Sequence, residues 1–495
     1  MKNGSALTIQ TATEIPPPAP NEAIAVCVFS DRPDLSGASG DVLELVQRLV
    51  REGDFRGEEE TSVLVHATAA GYAGVRRLLL LGLGAHGDDD PTLFGRAVGA
   101  AVRQARAARV KRLSLILPVC HDRARLTRAA AEGAWLGLYD GDFYQNHEEE
   151  RPALERLTII TTETGDRLQS EVERGRIVGE SVNWARALAD EPGGHLPPRE
   201  FARRAAEMAR EFGLGVESLD ADEIRARGMG GLWGVGLGSD EKPALIVLRY
   251  EPDGASPSDE LWAFVGKGIT FDTGGISIKH GPDMYEMKAD MAGGAAVLGA
   301  LRAIAQIKPL RRIVGIVPAA ENMPSGRAIK PGDIVRTLAG YTVEVVDTDA
   351  EGRLVLIDGI AYARQLGAAR IVDLATLTGS IIVALGDQRT GLFSNDDEWA
   401  SRVRDAAARA GEPVWRMPVS DDYQKRIESP IADFKNYGGR PDATAAALLL
   451  SKFADPTAWV HLDIAGTAWY DDPQPHAPKG STGTGVRTLV ELACG

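Results

Sequence analysis

Short apolar runs alternate with amphipathic ones along most of the chain. Residues 24–29, 62–66 and 77–83 are short and apolar, the pattern of strands, and residues 42–50 repeat their apolar positions at helical spacing. This is the texture of an α/β fold. Between residues 167 and 190, Val172, Ile177, Val178, Val182 and Ala185 recur at helical spacing until Pro192-Gly193-Gly194 ends the run, which predicts a long connecting helix. Beyond it strands are predicted at 245–248, 261–265, 312–317, 343–346, 371–374 and 459–462, with helices at 291–307, 354–366 and 443–453 between them. The expected fold is α/β in two domains. Residues 1–165 form a smaller α/β domain with an assembly or regulatory role, 166–192 a connecting helix, and 193–495 a mostly parallel or mixed sheet sandwiched by helices. In open sheets of this kind the functional loops gather at the carboxyl ends of the strands.

Composition narrows the partners more than the fold. With 495 residues, 44% of them hydrophobic and 25% charged, the chain can bury large cores in two or more domains. The formal charge of -15 argues against a surface built chiefly for nucleic acid or an anionic membrane. Cys27, Cys120 and Cys494 are far apart and form no CxxC pattern, so neither a disulfide framework nor a thiolate zinc site is indicated, and a reducing compartment fits. The first residues lack the apolar core of a signal peptide, and no stretch is an uninterrupted membrane-length apolar run. A cytoplasmic, soluble protein is expected.

The chemistry concentrates in Asp347-Thr348-Asp349-Ala350-Glu351-Gly352-Arg353-Leu354, where three carboxylates and a guanidinium follow a predicted strand. Carboxylates this close repel one another unless a proton or cation compensates them, and divalent metals with oxygen ligands are the common compensation. Upstream, the strand at 261–265 runs into Gly266-Lys267-Gly268-Ile269-Thr270-Phe271-Asp272-Thr273-Gly274-Gly275-Ile276-Ser277-Ile278-Lys279, and Met287-Lys288-Ala289-Asp290-Met291 follows. Taken singly, Asp290 reads as a helix N-terminal carboxylate, Asp272 as a turn residue, and Lys267 and Lys279 as surface lysines. Taken together, they stand shortly after predicted strands, so that one carboxyl-end rim gathers them all. Asp349 and Glu351, two apart, need a turn rather than a helix to converge. Three competing motifs fail. A P-loop needs Gly at 261 and Ser or Thr at 268, where Leu261 and Gly268 stand; His147-Glu148 is followed three residues later by Arg151 instead of a second histidine; and Gly82-Leu83-Gly84-Ala85-His86-Gly87, a formal GxGxxG, runs into Asp88-Asp89-Asp90, poor company for a pyrophosphate and better read as a turn.

These segments resemble those of the leucyl (cytosol) aminopeptidase family, two-metal enzymes that remove N-terminal residues from peptides. The family signature NTDAEGRL stands here as DTDAEGRL, and VGKGxxFDxGGxxxK is intact from Val265 to Lys279. KxDM is Lys288 to Met291. Asn436-Tyr437-Gly438-Gly439-Arg440, His461-Leu462-Asp463-Ile464-Ala465-Gly466-Thr467-Ala468-Trp469 and Gly483-Thr484-Gly485-Val486-Arg487-Thr488-Leu489 match as well, so the likeness covers roughly residues 180 to 495 by long motifs.

The resemblance implies that Lys267, Asp272, Asp290 and Glu351 bind one divalent ion and Asp272, Asp349 and Glu351 a second, with Asp272 and Glu351 shared. Four carboxylates against two dications leave no room for an ammonium, so Lys267 would bind as a neutral amine. Manganese, zinc or magnesium suit such donors. The family's catalytic positions fall on Lys279, which would hydrogen-bond the oxyanion formed when a metal-activated water attacks, and on Arg353, which would hold bicarbonate. One ion would hold the substrate's free α-amine. Met287, Thr376, Leu377 and Gly379 would line the pocket for the N-terminal side chain, with Asp347 beside it. Peptides with a free N-terminus are the implied partners, and a homohexamer the implied assembly. Asp347 departs from the family's Asn and adds a negative charge beside a balanced site; Asp190, Gly194 and His280 depart outside the ligand set. Some relatives also bind DNA as architectural proteins, a reading that the net acidity and the lack of a Lys/Arg cluster with interleaved aromatics argue against.

Overall fold

The computed structural model describes residues 7–17, 21–32, 36–66, 77–87, 90–146 and 153–495. Asp88, Asp89 and the His147 to Arg151 segment weighed above lie outside the described residues. The chain divides into two compact units, Met1–Asn183 with Asp471–Lys479, and Trp184–Tyr470 with Gly480–Gly495.

The first unit is built on a six-stranded sheet of β1 (Thr8–Ala12), β2 (Glu22–Val28), β3 (Ser62–Val65), β4 (Leu78–Gly82), β5 (Arg112–Ile116) and β6 (Arg156–Ile160), in the order β1-β6-β5-β2-β4-β3. All neighbours are parallel except β3, which runs antiparallel to β4. Parallel strands are covered on both faces, which is why β4 reads Leu-Leu-Leu-Leu-Gly without a polar position and is buried throughout. Helices α1 (Gly40–Glu52), α2 (Pro91–Ala107) and α3 (Arg123–Gly137) supply the cover. The formal GxGxxG is the exit from β4. Asp90, shortly beyond it, caps α2 by accepting hydrogen bonds from Thr92 N at 2.8 Å and Leu93 N at 3.3 Å, so this aspartate is spent on a helix terminus. Helix α4 (Asp166–Asp190) is the long helix that the periodicity predicts.

In the second unit nine strands form one mixed sheet. These are β7 (Gly215–Leu219), β8 (Ala244–Tyr250), β9 (Leu261–Gly266), β10 (Gly268–Asp272), β11 (Arg312–Asn322), β14 (Arg370–Ala375), β15 (Thr390–Ser394), β16 (Val414–Arg416) and β18 (Ala458–Asp463); between them in the chain, β12 (Ile334–Arg336), β13 (Thr342–Glu344) and β17 (Phe434–Lys435) make a separate three-stranded sheet. The order is β16-β15-β18-β14-β9-β11-β8-β7, with β10 paired to β11 alone. Its centre, β18-β14-β9-β11, is parallel, and the flanking strands β15 and β8 are antiparallel. The predicted strand at 343–346 therefore exists as β13 but belongs to the small sheet. Strand β11 continues past Pro318, where the sequence pattern stops, because β10 replaces β9 as its neighbour from Ala319 onward.

The helices of this unit are α5 (Pro198–Phe212), α6 (Ala221–Ala226), α7 (Gly230–Gly236), α8 (Ala292–Ile307), α9 (Gly352–Gln365), α10 (Gly379–Leu385), α11 (Asp397–Arg409), α12 (Asp442–Ala454) and α13 (Val486–Cys494). Helix α8 is apolar all round and buried over most of its length, as a helix laid on a sheet and covered by others must be. Its start is pressed onto the sheet: a Cβ on Gly293 would stand 2.2 Å from Leu374 O, and one on Gly266 2.4 Å from Gly293 O. Only glycine at both positions lets the amino end of α8 reach the carboxyl ends of β9 and β14.

Candidate metal centre

The carboxyl ends of β9, β10 and β14, the amino ends of α8 and α9, and the turn before α9 meet at one place. Lys267 follows β9 directly, donating its N–H to Leu374 O at 3.0 Å and accepting from Gly294 N at 2.7 Å, so its backbone ties β9, β14 and α8 together. Asp272 ends β10 in register with Asn322 of β11. Asp290 reaches the site from the helix side, between a 3-10 segment (Pro282–Ala289) and α8, and does not follow a strand as the sequence pattern suggests. Asp349 and Glu351 stand in a turn before α9; Glu351 joins Asp272 and Asp290, while Asp349 is tied to Asp272 through Lys279.

Two asparagines hold that turn. Asn322 Nδ2 donates to Asp272 Oδ1 at 2.8 Å and to Thr348 O at 2.9 Å, and Asn436 Nδ2 donates to Asp347 O at 2.6 Å and Ala350 O at 3.2 Å. Thr348 Oγ1 donates to Gly274 O at 2.6 Å and accepts from Ser277 N at 2.8 Å, joining the turn to the glycine-rich loop. Gly352 has a separate reason: a Cβ there would lie 2.7 Å from Lys267 Cε, so the lysine stem runs over this glycine into the site.

Asp272, Asp290 and Glu351 each present a carboxylate oxygen, all within 4.8 Å of one another and all buried. Lys267 Nζ lies 2.8 Å from Asp290 Oδ1, 2.7 Å from Glu351 Oε1 and 3.0 Å from Thr376 O. Lys279 Nζ lies 2.8 Å from Asp272 Oδ2 and 2.5 Å from Asp349 Oδ1. The centre has a closed half and an open half: the Lys267, Asp290 and Glu351 side chains are 3%, 8% and 3% exposed, against 25% for Lys279 and 35% for Asp349.

The electrostatics are those of a site short of positive charge. Burial, reinforced by the charge on Asp272, pushes Glu351 up to about 8, and burial pushes Asp290 up to about 6. Asp349 is raised for the same reasons. Burial acts to lower both lysines, but the surrounding carboxylates outweigh it and hold Lys267 and Lys279 above the ordinary lysine range. Two ammonium groups thus face four carboxylates, and Asp290 Oδ2 and Glu351 Oε2 are buried with no hydrogen-bond partner. Buried carboxylate oxygens left unpaired cost free energy, and a cation bound between them is the direct remedy. The donor set therefore fits a divalent metal of oxygen preference.

Around this core the other sequence candidates take their places. Thr376 Oγ1 donates to Asp290 Oδ1 at 2.8 Å, Leu377 follows on the same loop and Gly379 opens α10. Met287, in the 3-10 segment, accepts at its carbonyl from Asp290 N at 3.3 Å and has a partly exposed side chain. Arg353 is buried, and Asp442 takes its two terminal nitrogens in a fork, Nη1 to Oδ1 at 2.9 Å and Nη2 to Oδ2 at 3.1 Å, while Nη1 also donates to Asn436 O at 2.8 Å. Its Nε is buried without a partner. Sequence reasoning missed Asp442, since an aspartate opening a helix carries the signature of an ordinary N-terminal acid. It also gave no role to Asn322 or Asn436.

Asp347 Oδ1 accepts from Asp349 N at 2.9 Å, an Asx turn that an asparagine oxygen makes equally well. Asp347→Asn should therefore fold normally and act through charge alone, altering KM or the order of metal preference. Unchanged kinetics and metal dependence across manganese, zinc and magnesium would dispose of that role.

Residues 183–490 match the model of the cytosol aminopeptidase family, catalytic domain, and residues 25–147 that of the cytosol aminopeptidase family, N-terminal domain. A probable cytosol aminopeptidase of Solibacter usitatus is 46% identical over 475 residues, 95% of this chain and 96% of the relative; one of Acidobacterium capsulatum is 43% identical over 451 residues, 90% and 88%. Among solved structures, a tomato leucine aminopeptidase mutant superposes with a TM-score of 0.88 at 31% identity, covering 100% of this chain and 97% of that one. The bottromycin maturation enzyme BotP in complex with Mn gives 0.83 at 35% identity, covering 96% and 98%.

Proposed function

The chain belongs to the cytosol aminopeptidase family and is a metal-dependent aminopeptidase, and we propose that it releases N-terminal residues, leucine among those preferred, through a centre of two divalent ions. Lys267, Asp272, Asp290 and Glu351 would hold one ion and Asp272, Asp349 and Glu351 the other, manganese or zinc before magnesium. The observation that carries this is the pair of unpartnered buried oxygens, Asp290 Oδ2 and Glu351 Oε2, inside a cluster whose acids are pushed upward. When bound, such ions polarise the scissile carbonyl and lower the pKa of water.

The protein's own groups do the rest. Lys267 must lose its proton to serve as a ligand, so loading should release protons from a lysine that the carboxylates otherwise keep charged. Lys279, on the open side, is placed to donate to the developing oxyanion of the substrate. Arg353 is fixed at one edge by Asp442, which leaves its buried Nε to hold a planar anion such as bicarbonate. Met287, Thr376, Leu377 and Gly379 wall the N-terminal side chain, with Asp347 beside them. No helix among the described residues is long and apolar enough to cross a membrane, and a cytoplasmic homohexamer is the proposed setting. Exposed apolar side chains such as Val383, 89% exposed, and Trp415, 54% exposed, are surface that an assembly would cover.

A reconstitution series tests the whole reading. Protein stripped with a chelator should hydrolyse leucine amide only after manganese or zinc is returned, and should leave N-acetyl-leucine amide intact throughout. Activity that survives chelation, or equal turnover of the acetylated substrate, would sink it.

A further inference from the structure

The loop after β14 is clamped from two sides. On the metal side, Thr376 O accepts from Lys267 Nζ at 3.0 Å and Thr376 Oγ1 donates to Asp290 Oδ1 at 2.8 Å. On the sheet side stands Asp463, the last residue of β18, in register with Ala375 at the end of β14. Its carboxylate takes three donors: Leu377 N at 3.2 Å and Ala465 N at 3.3 Å on Oδ1, and Thr378 Oγ1 at 2.7 Å on Oδ2. Thr378 Oγ1 in turn accepts from Ile381 N at 3.3 Å and so caps α10. One side chain thereby fixes the backbone at Leu377, the cap of α10 and the turn after β18.

For the fold alone this is a costly arrangement. Asp463 is 1% exposed, and burial raises its carboxyl against the opposing pull of His461 and of the three donors. Two residues back along β18, on the same face, His461 Nδ1 lies 2.6 Å from Asp373 Oδ1, and Asp373 Oδ2 accepts from Trp459 Nε1 at 2.5 Å. A line of buried polar groups thus runs along two central strands whose other positions are largely apolar. What the carboxylate adds is a fixed position for the loop.

We propose that Asp463 is a positioning residue for peptide hydrolysis: by holding Leu377 N and Thr378 Oγ1 it fixes the wall at residues 376–379, and so sets substrate affinity and side-chain selectivity. This rests on reading that loop as the wall of the side-chain pocket. Because Thr376 keeps its own bonds to Lys267 and Asp290, loss of the Asp463 clamp frees the wall without releasing the metal ligands. The effect falls on KM and on the choice of substrate, and leaves metal content alone.

Four variants, Asp463→Ala, Asp463→Asn, Thr378→Val and Leu377→Ala, assayed on leucine, glycine and phenylalanine amides with metal content measured, test the proposal. Asp463→Ala should raise KM for leucine amide about tenfold, with a smaller change in kcat and a narrower gap between leucine and glycine. Asp463→Asn, which keeps an oxygen for both backbone donors, should stay within about threefold of the parent, and Thr378→Val should fall between the two. Unchanged KM and selectivity in both Asp463→Ala and Thr378→Val would overturn the role, as would loss of metal from Asp463→Ala. If Asp463→Ala does not fold, Thr378→Val decides alone, since it leaves the carboxylate and its backbone bonds in place. Leu377→Ala separates the two layers. If it leaves KM and selectivity untouched, the wall reading falls and the proposal with it; if it moves them while the Asp463 and Thr378 variants do not, the positioning role alone fails.

Discussion

Lys279→Ala should lower kcat/KM for leucine amide by about 100- to 1000-fold while the loaded protein keeps its full metal content. The size is that of losing one preorganised donor to an oxyanion. The argument begins with placement: Lys279 Nζ is the cation of the open half, 2.8 Å from Asp272 Oδ2 and 2.5 Å from Asp349 Oδ1, with a quarter of its side chain exposed. This ammonium is more open to solvent than that of Lys267 in the closed half, and so is the one expected to meet a substrate carbonyl. In the chelated protein the same residue compensates Asp272 and Asp349, so the variant without metal should be less stable than its parent, and adding metal should narrow the difference. Two measurements therefore distinguish a donor from a ligand. Full activity in Lys279→Ala would falsify the oxyanion role, and loss of one metal equivalent would make Lys279 a ligand instead.

The sequence makes the rim legible and hides its braces, for a physical reason. Strand β9 is buried on both faces and reads as a continuous apolar run, and β14 and β18 are interrupted inside only by Asp373 and His461, so the chemistry that follows them stands out. Strand β10 has a neighbour on one side only and contains the glycine and threonine of Gly268-Ile269-Thr270, with a register irregularity between Ile269 and Phe271, so nothing in its pattern separates it from a loop. Asn322 and Asp442 are ordinary polar residues in sequence, and Asn436 and Asp463 stand in matched motifs that by themselves assign them no role. Asn322 meets Asp272 50 positions away, Asp442 meets Arg353 89 away, and Asp463 meets Leu377 86 away, distances that no periodicity reports. Lys267 is legible as a candidate ligand, yet its charge is not: the expectation of a neutral amine assumes a metal, and the carboxylates alone hold the ammonium.

Glu351→Gln should abolish activity, by at least about 1000-fold, and should do so through metal loss, since Glu351 is, with Asp272, one of the two acids that both proposed ions share. The same substitution should make the chelated protein more stable. Glu351 is 3% exposed on its side chain, one oxygen accepts no hydrogen bond, and burial with the charge on Asp272 pushes it up to about 8, well above the value of about 4.3 in an unfolded chain. Between those two values the folded protein binds more protons at this group than the unfolded chain does, so its contribution to stability declines as pH rises through the window and levels off above about 8. Glutamine does not titrate and keeps an oxygen for Lys267, 2.7 Å away in the parent. Melting curves in chelator from pH 5 to pH 9 should therefore show the variant gaining on the parent as pH increases, with the gain flattening near the top of the range. In saturating manganese the order should reverse, because only the parent is then held by bound metal. A chelated variant that melts below its parent at every pH would mean that the Glu351 carboxylate is already balanced by Lys267 alone, and the case for a cation at the closed half would lose its main support.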